Sequence, residues 1–192
     1  MTELPRTLVV MALRAESAGV FEAAAVPVLF CGVGKVNAAM AITRELARYE
    51  HRGQQMPLVV NFGSVGSRRH PSGTLLACHE FIQRDMDVRA LGFALGETPY
   101  DEVPSLLSFP PVFSLPAAVC GSGDSFATGD IEADCALLDM EAYALAKVCL
   151  RENAMFACAK YVTDGADGAA ADDWRRNVHK AAEEFLRLFR SL

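Results

Sequence analysis

Residues Cys135–Val162 read CALLDMEAYALAKVCLRENAMFACAKYV, and their order decides the fold. Cys135–Asp139 is a short apolar run, Met140–Glu152 is rich in helix formers, and Met155–Val162 is a second apolar run. A strand feeding a helix that returns to a strand is the repeating unit of an α/β domain. Carboxylates punctuate it: Glu141 leads into the helix, and Asp164 follows the second strand in Thr163-Asp164-Gly165-Ala166-Asp167. An ionised carboxylate beside a hydrophobic core is costly unless it is paired or used. Two of them at element ends point to a polar site opening from a buried sheet.

Outward from this segment the same alternation recurs. Thr7–Leu13 is a β-branched, apolar strand, and Pro27–Cys31 is another. The turn Gly32-Val33-Gly34 leads into a helix on which Val36, Ala39, Met40, Leu46 and Ala47 fall near one face. Leu58–Asn61 is a strand ending in the turn Gly63-Ser64-Val65-Gly66. Thr74–Ile82 reads as one further strand, and Ala117–Cys120 as a strand running into Gly121-Ser122-Gly123-Asp124-Ser125-Phe126. Gly96–Pro116 holds five of the nine prolines and little periodicity, so it reads as an ordered loop, a lid or an interface. At the C-terminus Trp174, Val178, Ala181, Ala182, Phe185, Leu188, Phe189 and Leu192 make one apolar helical stripe. The expected fold is a three-layer α/β/α domain with a central mixed, largely parallel sheet, formed as a single domain over residues 1–192. In such folds ligands collect beyond the carboxyl ends of the strands, where Glu16, Ser64, Gly121–Phe126, Glu141 and Asp164 all fall.

Composition narrows the function classes. Hydrophobic residues make up 52% and charged residues 22% of the 192, with a net charge of −6. That balance argues against nucleic acid or an anionic membrane as partner. Met1–Arg6 has no cationic leader character, and Leu8–Leu13 is too short to span a membrane, so a cytoplasmic location is expected. The six cysteines contain no C-x-x-C and sit mostly in apolar segments, as reduced, buried residues do.

Several motifs fail on inspection. Gly34-Lys35 has Leu29 where a P-loop needs its first glycine and Val36 where it needs Ser or Thr. Neither Ser64 nor Ser122 stands in a nucleophile elbow. His51, His70, His79 and His179 lie away from the glycine turns. No metal or cofactor constellation is present in the sequence. What remains is a set of carboxylates, glycine turns and hydroxyls. Carboxylates alone suit a reaction with an oxocarbenium-like transition state, one acid protonating the leaving group and one base activating water. Each also has a plain alternative: Asp164 as a helix cap, Glu141 as a first-turn acid, Glu16 as a solvated helix residue.

Taken together these segments resemble the purine nucleoside phosphorylase/nucleosidase superfamily, and most closely its methylthioadenosine/S-adenosylhomocysteine nucleosidase branch, in a shortened form. Val10–Glu16 is similar to the family's first strand and its acids, Gly32–Ala39 to its G-x-G-K-x-x-A-A turn, and Asn61–Gly66 to its N-x-G-[ST]-x-G loop. Asp87–Phe93 resembles its D-x-x-x-x-G-[YF] segment, Ser122–Phe126 its S-G-D-x-F motif, and Asp139–Ala142 with Thr163-Asp164 its M-E-x and [ST]-D elements. The departures are a short segment between Glu16 and Gly32, a proline-rich stretch ahead of Gly121, Asp139 where Glu is commoner, Thr163 for Ser and Lys160 for Arg.

The resemblance implies a purine nucleosidase acting on a 5′-modified adenosine, within purine metabolism and methionine salvage, with no cofactor and as a homodimer. It implies Asp164 as general acid to the purine N7 and Glu16 as the group orienting and deprotonating water. Glu141 would hold the ribose hydroxyls beside Met140, and Phe126, next to Ser125, would stack on the base. Ser64 and Thr163 would supply hydrogen bonds, and Trp174 would close the pocket. A phosphate-dependent phosphorylase, with Arg14, Arg68 and Arg69 as phosphate ligands, and an inactive nucleoside-binding protein remain the alternatives. The dimer surface expected is Asp87–Phe93 with the proline-rich loop, through Leu91, Phe93, Leu106, Leu107 and Phe109.

Overall fold

Alternate residues of each central strand face opposite ways, and this splits the core in two. In the computed structural model, which describes residues 6–192, the strands are β1 (Thr7–Met11), β2 (Val28–Phe30), β3 (Leu58–Gly66), β4 (Leu75–Cys78), β5 (Glu80–Gln83), β6 (Leu106–Ser108), β7 (Cys120–Ser122), β8 (Leu137–Asp139) and β9 (Met155–Asp164). The helices are α1 (Arg14–Ser17), α2 (Val20–Ala23), α3 (Lys35–His51), α4 (Ala142–Arg151), α5 (Ala170–Asn177) and α6 (Ala182–Arg190). The N-terminal stretch Met1–Pro5 lies outside the described residues.

One mixed, mostly parallel sheet runs in the order β2-β1-β3-β8-β7-β5-β6, and β9 pairs with both β3 and β4. Val10, Val59, Phe156 and Cys158 point to the face covered by α3 and α4. Val9, Met11, Val60, Phe62, Ala157 and Ala159 point to the face covered by α2 and α6. On that second face Phe62 stacks on Phe185, with ring centroids 5.0 Å apart. The period of two in the strands thus builds the three layers. Each large apolar side chain so buried contributes roughly 1.5–3 kcal/mol.

Five local expectations change. β3 does not stop at Asn61 but continues through Gly66, because β9 supplies paired backbone along its whole length. Thr74–Ile82 breaks at His79 into two strands with different neighbours: β4 pairs with β9, whereas β5 pairs with β6 and β7. The strand expected at Ala117–Cys120 lies two to three residues later, and Ala117 keeps only a bridge to Ala77. On α3 the buried stripe is Ala38, Ile42 and Leu46, while Val36 and Met40 are exposed. The C-terminal stripe divides into α5 and α6. Asn177 closes α5 by donating Nδ2 to the Thr163 carbonyl at 2.7 Å, and Val178 and Ala181 stay buried across the break.

The proline-rich stretch is mostly irregular, as its composition suggested, but it contributes β6 to the sheet edge. Leu107 on that strand is core and Phe109 packs against the core. Of the five residues expected at an interface, Leu91 and Leu106 are exposed, and Phe93 packs edge-on against Tyr100. All six cysteines are free and buried. No helix among the described residues is long and apolar enough to cross a membrane.

Candidate active site

A cavity of about 340 Å³ opens at the carboxyl ends of β1, β3, β8 and β9. Eight of the nine site residues expected from sequence line it: Glu16, Ser64, Ser125, Phe126, Met140, Glu141, Asp164 and Trp174. Thr163, the ninth, is fully buried behind Asp164. The arginines considered for phosphate do not line this cavity. Arg14 pairs with Glu22 and lies over the Phe30 ring, Arg68 pairs with Asp130, and Arg69 with Asp134.

Glu16 is buried, not solvated. The chain turns sharply after β1, and Glu16 Oε2 accepts the Ala12 and Leu13 amides, each at 3.0 Å. Its Oε1 accepts the Ser64 amide at 2.9 Å and the Ser64 hydroxyl at 3.0 Å. Ser64 Oγ also accepts the Trp174 indole N–H at 3.1 Å. A Cβ on Gly63 would stand 3.2 Å from Glu16 Oε1 and 3.1 Å from Lys160 Nζ. Glycine at 63 is therefore what lets both charged groups close on β3.

Asp164 ends β9 and does not cap the following helix, which begins six residues later with Ala169 as its N-cap. Its Oδ1 accepts the Ala166 amide at 3.0 Å, and its Oδ2 lies 2.8 Å from Thr163 Oγ1. Burial pushes the Asp164 carboxyl above its ordinary value, and Asp173 and Asp167 add to the rise against these hydrogen bonds. Thr163 Oγ1 also lies 3.2 Å from the Val65 carbonyl. A hydroxyl has one proton. Thr163 can donate to Val65 and still bond Asp164 when Asp164 carries a proton of its own. Gly66 leaves the room for this, since a Cβ there would come within 2.7 Å of Asp164 Oδ1.

Glu141 is the N-cap residue of α4, yet its side chain makes no cap bond to that helix. Its Oε1 accepts the Gly34 amide at 2.9 Å instead. Burial, with the negative charges of Asp139 and Glu16 near by, pushes its pKa up to about 8, against the opposing charge of Lys160 and the Gly34 bond. Below the cavity Lys160 Nζ holds Asp139 Oδ2 at 2.8 Å, both side chains being almost fully buried. Burial alone would raise the Asp139 carboxyl, but Lys160, the Ser122 hydroxyl and the Ala142 amide hold it below its ordinary value.

Phe126 is half-exposed at the mouth. The turn that carries it is gripped from below by Arg84, a pocket residue that sequence reasoning missed. Arg84 donates to the carbonyls of Gly123 and Ser125 and to Ser125 Oγ, while its buried Nε has no partner. A single arginine at the end of a short strand carries no sequence signal. The Lys160–Asp139 pair was equally hidden, because nothing local links residues 21 positions apart.

Fold and site together define a nucleoside phosphorylase-like α/β domain with carboxylates gathered at one rim of the sheet. The family model described as the Phosphorylase superfamily matches residues 17–192, and the chain belongs to that superfamily. Glu16 stands one residue ahead of the matched span. Similar curated proteins include the 5′-methylthioadenosine/S-adenosylhomocysteine nucleosidase of Marinomonas sp., 25% identical over 187 residues, with 86% of this chain and 79% of that protein covered. The nucleosidase of the same description from Geobacillus thermodenitrificans is 30% identical over 185 residues, covering 84% and 75%. Among solved structures, a mutant Helicobacter pylori nucleosidase with 5′-methylthioadenosine in its active site superposes with a TM-score of 0.83 at 19% identity, covering 98% of this chain and 99% of that one. The futalosine hydrolase of Helicobacter pylori gives a TM-score of 0.83 at 20% identity over the whole of both chains. At these identities the structural likeness is one of fold.

Proposed function

We propose that this protein is a purine nucleosidase that hydrolyses the N-glycosidic bond of a 5′-modified adenosine of the methylthioadenosine/S-adenosylhomocysteine type. The observation that carries the reading is the set of carboxylates that line the cavity. Glu16, Glu141, Asp139 and Asp164 converge on it, and of the two buried cations near by, Lys160 pairs with Asp139. Arg84 is occupied by the Gly123–Ser125 turn, and Arg175 at the rim pairs with Asp172. Carboxylates gathered in a desolvated site suit a transition state in which the ribose becomes cationic. Glu16, where the nucleophile would stand, disfavours phosphate.

In this reading the base stacks on Phe126, beside Ser125, with Trp174 closing the pocket. Glu141 holds the ribose hydroxyls next to Met140. Asp164, its carboxyl pKa raised by burial, delivers its proton to N7. The C1′–N9 bond breaks with its electron pair leaving on the base. Glu16, oriented by the β1 turn and Ser64, takes a proton from water as the oxygen bonds to C1′. Positive charge on the sugar favours the ionised form of Glu141. The products are the free base and the ribose derivative, which places the reaction in methionine salvage.

The deciding experiment is incubation with methylthioadenosine, with and without inorganic phosphate. Adenine release that ignores phosphate supports the proposal. A strict phosphate requirement with a sugar 1-phosphate product replaces it by a phosphorylase, and binding without base release replaces it by a nucleoside-binding protein. The same reading places the protein in the cytoplasm, a reducing compartment suited to six free buried cysteines. It also makes the protein a homodimer through the face bearing Leu91 and Leu106, and a monodisperse monomer in light scattering counts against that.

A further inference from the structure

Trp174 does more in this site than form a wall. It is the only tryptophan of the chain. It sits one turn from the end of α5, half-buried on the cavity rim, and its indole Nε1 lies 3.1 Å from Ser64 Oγ. Ser64 Oγ in turn lies 3.0 Å from Glu16 Oε1. The indole N–H can only donate, whereas a hydroxyl has one proton and two lone pairs. Once a lone pair of Ser64 is taken by the indole, the hydroxyl proton is directed to the one acceptor left within reach, Glu16 Oε1.

α5 is itself anchored at this rim. Asn177 on its last turn donates to the Thr163 carbonyl at 2.7 Å and lies 3.2 Å from Ser72 Oγ. The helix therefore bridges the ends of β3, through Ser64, and β9, through Thr163. Those are the strand ends that carry Glu16's serine partner and Asp164.

We propose that Trp174 is a positioning residue for Glu16, acting through the Ser64 hydroxyl. It rests on the reading of Glu16 as the group that activates water. The indole locks the Ser64 rotor, and the rotor holds one carboxylate oxygen in place while the β1-turn amides hold the other. A phenylalanine at 174 keeps the aromatic wall but has no N–H. Ser64 is then free to turn its proton toward solvent or toward substrate, and Glu16 loses one of four fixed hydrogen bonds.

The test is a double-mutant cycle on turnover with Trp174→Phe, Ser64→Ala and the pair. The expected result for Trp174→Phe is a kcat lower by about ten-fold, the size of one lost hydrogen bond, with KM little changed. In the Ser64→Ala background the same substitution has no further effect. An unchanged kcat in Trp174→Phe, a loss confined to KM, or losses that simply multiply in the pair would each overturn the proposal.

A second readout does not depend on turnover. The single indole gives one side-chain N–H signal in a ¹⁵N-labelled sample. Ser64→Ala should move that signal while the melting curve shows a folded protein, and an unmoved signal refutes the Trp174–Ser64 bond. Should the wild-type protein release no adenine from methylthioadenosine, the nucleosidase reading fails and takes the catalytic role of Trp174 with it. An active wild type with an unaffected Trp174→Phe sinks the positioning role alone.

Discussion

Replacing Lys160 by methionine removes the cation from the buried polar cluster and leaves its partner behind. The two side chains are 2% and 1% exposed, with Nζ 2.8 Å from Asp139 Oδ2. Methionine nearly matches lysine in length and volume, so the packing loss is small and the cost is electrostatic. Deleting one partner of a buried pair costs about 3–5 kcal/mol, because the other charge stays buried without compensation. Asp139 keeps the Ser122 hydroxyl and the Ala142 amide. Those bonds place the loss at the lower end, about 3 kcal/mol. In a chain of this size that lowers Tm by about 6–12 °C.

The pH dependence carries a definite sign. In the wild type the Asp139 carboxyl is held below its ordinary value. Its contribution is therefore complete above the unfolded carboxylate value of about 3.9 and is lost as pH falls through the folded one. In Lys160→Met the same carboxyl is desolvated without its cation and gains from taking up a proton. The gap between wild type and variant is thus widest at neutral pH and narrows toward acid. Thermal melts followed by circular dichroism at pH 5 and pH 7.5 measure it. Adding Asp139→Asn to the variant removes the stranded charge and should recover part of the loss. A Tm change under about 2 °C at pH 7.5, or an equal change at both pH values, refutes the buried-pair account.

Other substitutions separate the remaining roles. Asp164→Asn keeps the size of the side chain but removes its transferable proton, and turnover should fall by roughly 10²-fold or more. The folded Asp164 carboxyl is raised, so the wild type loses stability as pH rises from the unfolded value through the folded one. Asn escapes that loss, and its Tm at neutral pH should exceed that of the wild type. Gly66→Ala places a Cβ 2.7 Å from Asp164 Oδ1, closer than the two can stand. It should displace the acid and lower kcat by at least about ten-fold, and near-normal kcat would show that the carboxyl is not held at this strand end. Glu141 has a pKa of about 8 in the free protein, and its ionised form is the one that stabilises a cationic sugar. The kcat/KM profile should therefore rise with pH through a limb near that value, and Glu141→Gln should abolish the limb.

The periodicity of the chain by itself determined the layers. Runs such as Leu8–Met11 and Leu58–Val60 are apolar on both faces, which suits only strands covered on both sides, and the helices that follow the glycine turns supply the cover. Six motif segments in order made the superfamily resemblance legible, together with Glu16, Glu141 and Asp164, because each lies at the end of an apolar run where a carboxylate is unusual. Local pattern could not settle where β3 ends. Gly63–Gly66 looks like a turn until β9 lies beside it and pairs its backbone to the last residue. Nor could it divide β4 from β5, since the break at His79 reflects a change of neighbours and not a change of residue type.

The electrostatics of the site belonged wholly to the tertiary structure. Lys160 finds Asp139, Glu141 finds the Gly34 amide 107 positions away, and Trp174 finds Ser64 110 positions away. Such partners are distant in sequence and share no periodicity. Their meeting follows from the crossovers of the sheet, which bring the ends of β1, β3, β8 and β9 to one rim. The carboxylates were visible one at a time in the sequence, but their pKa shifts and the pairing of Asp139 with Lys160 arise from burial and mutual distance, which only the packed sheet creates.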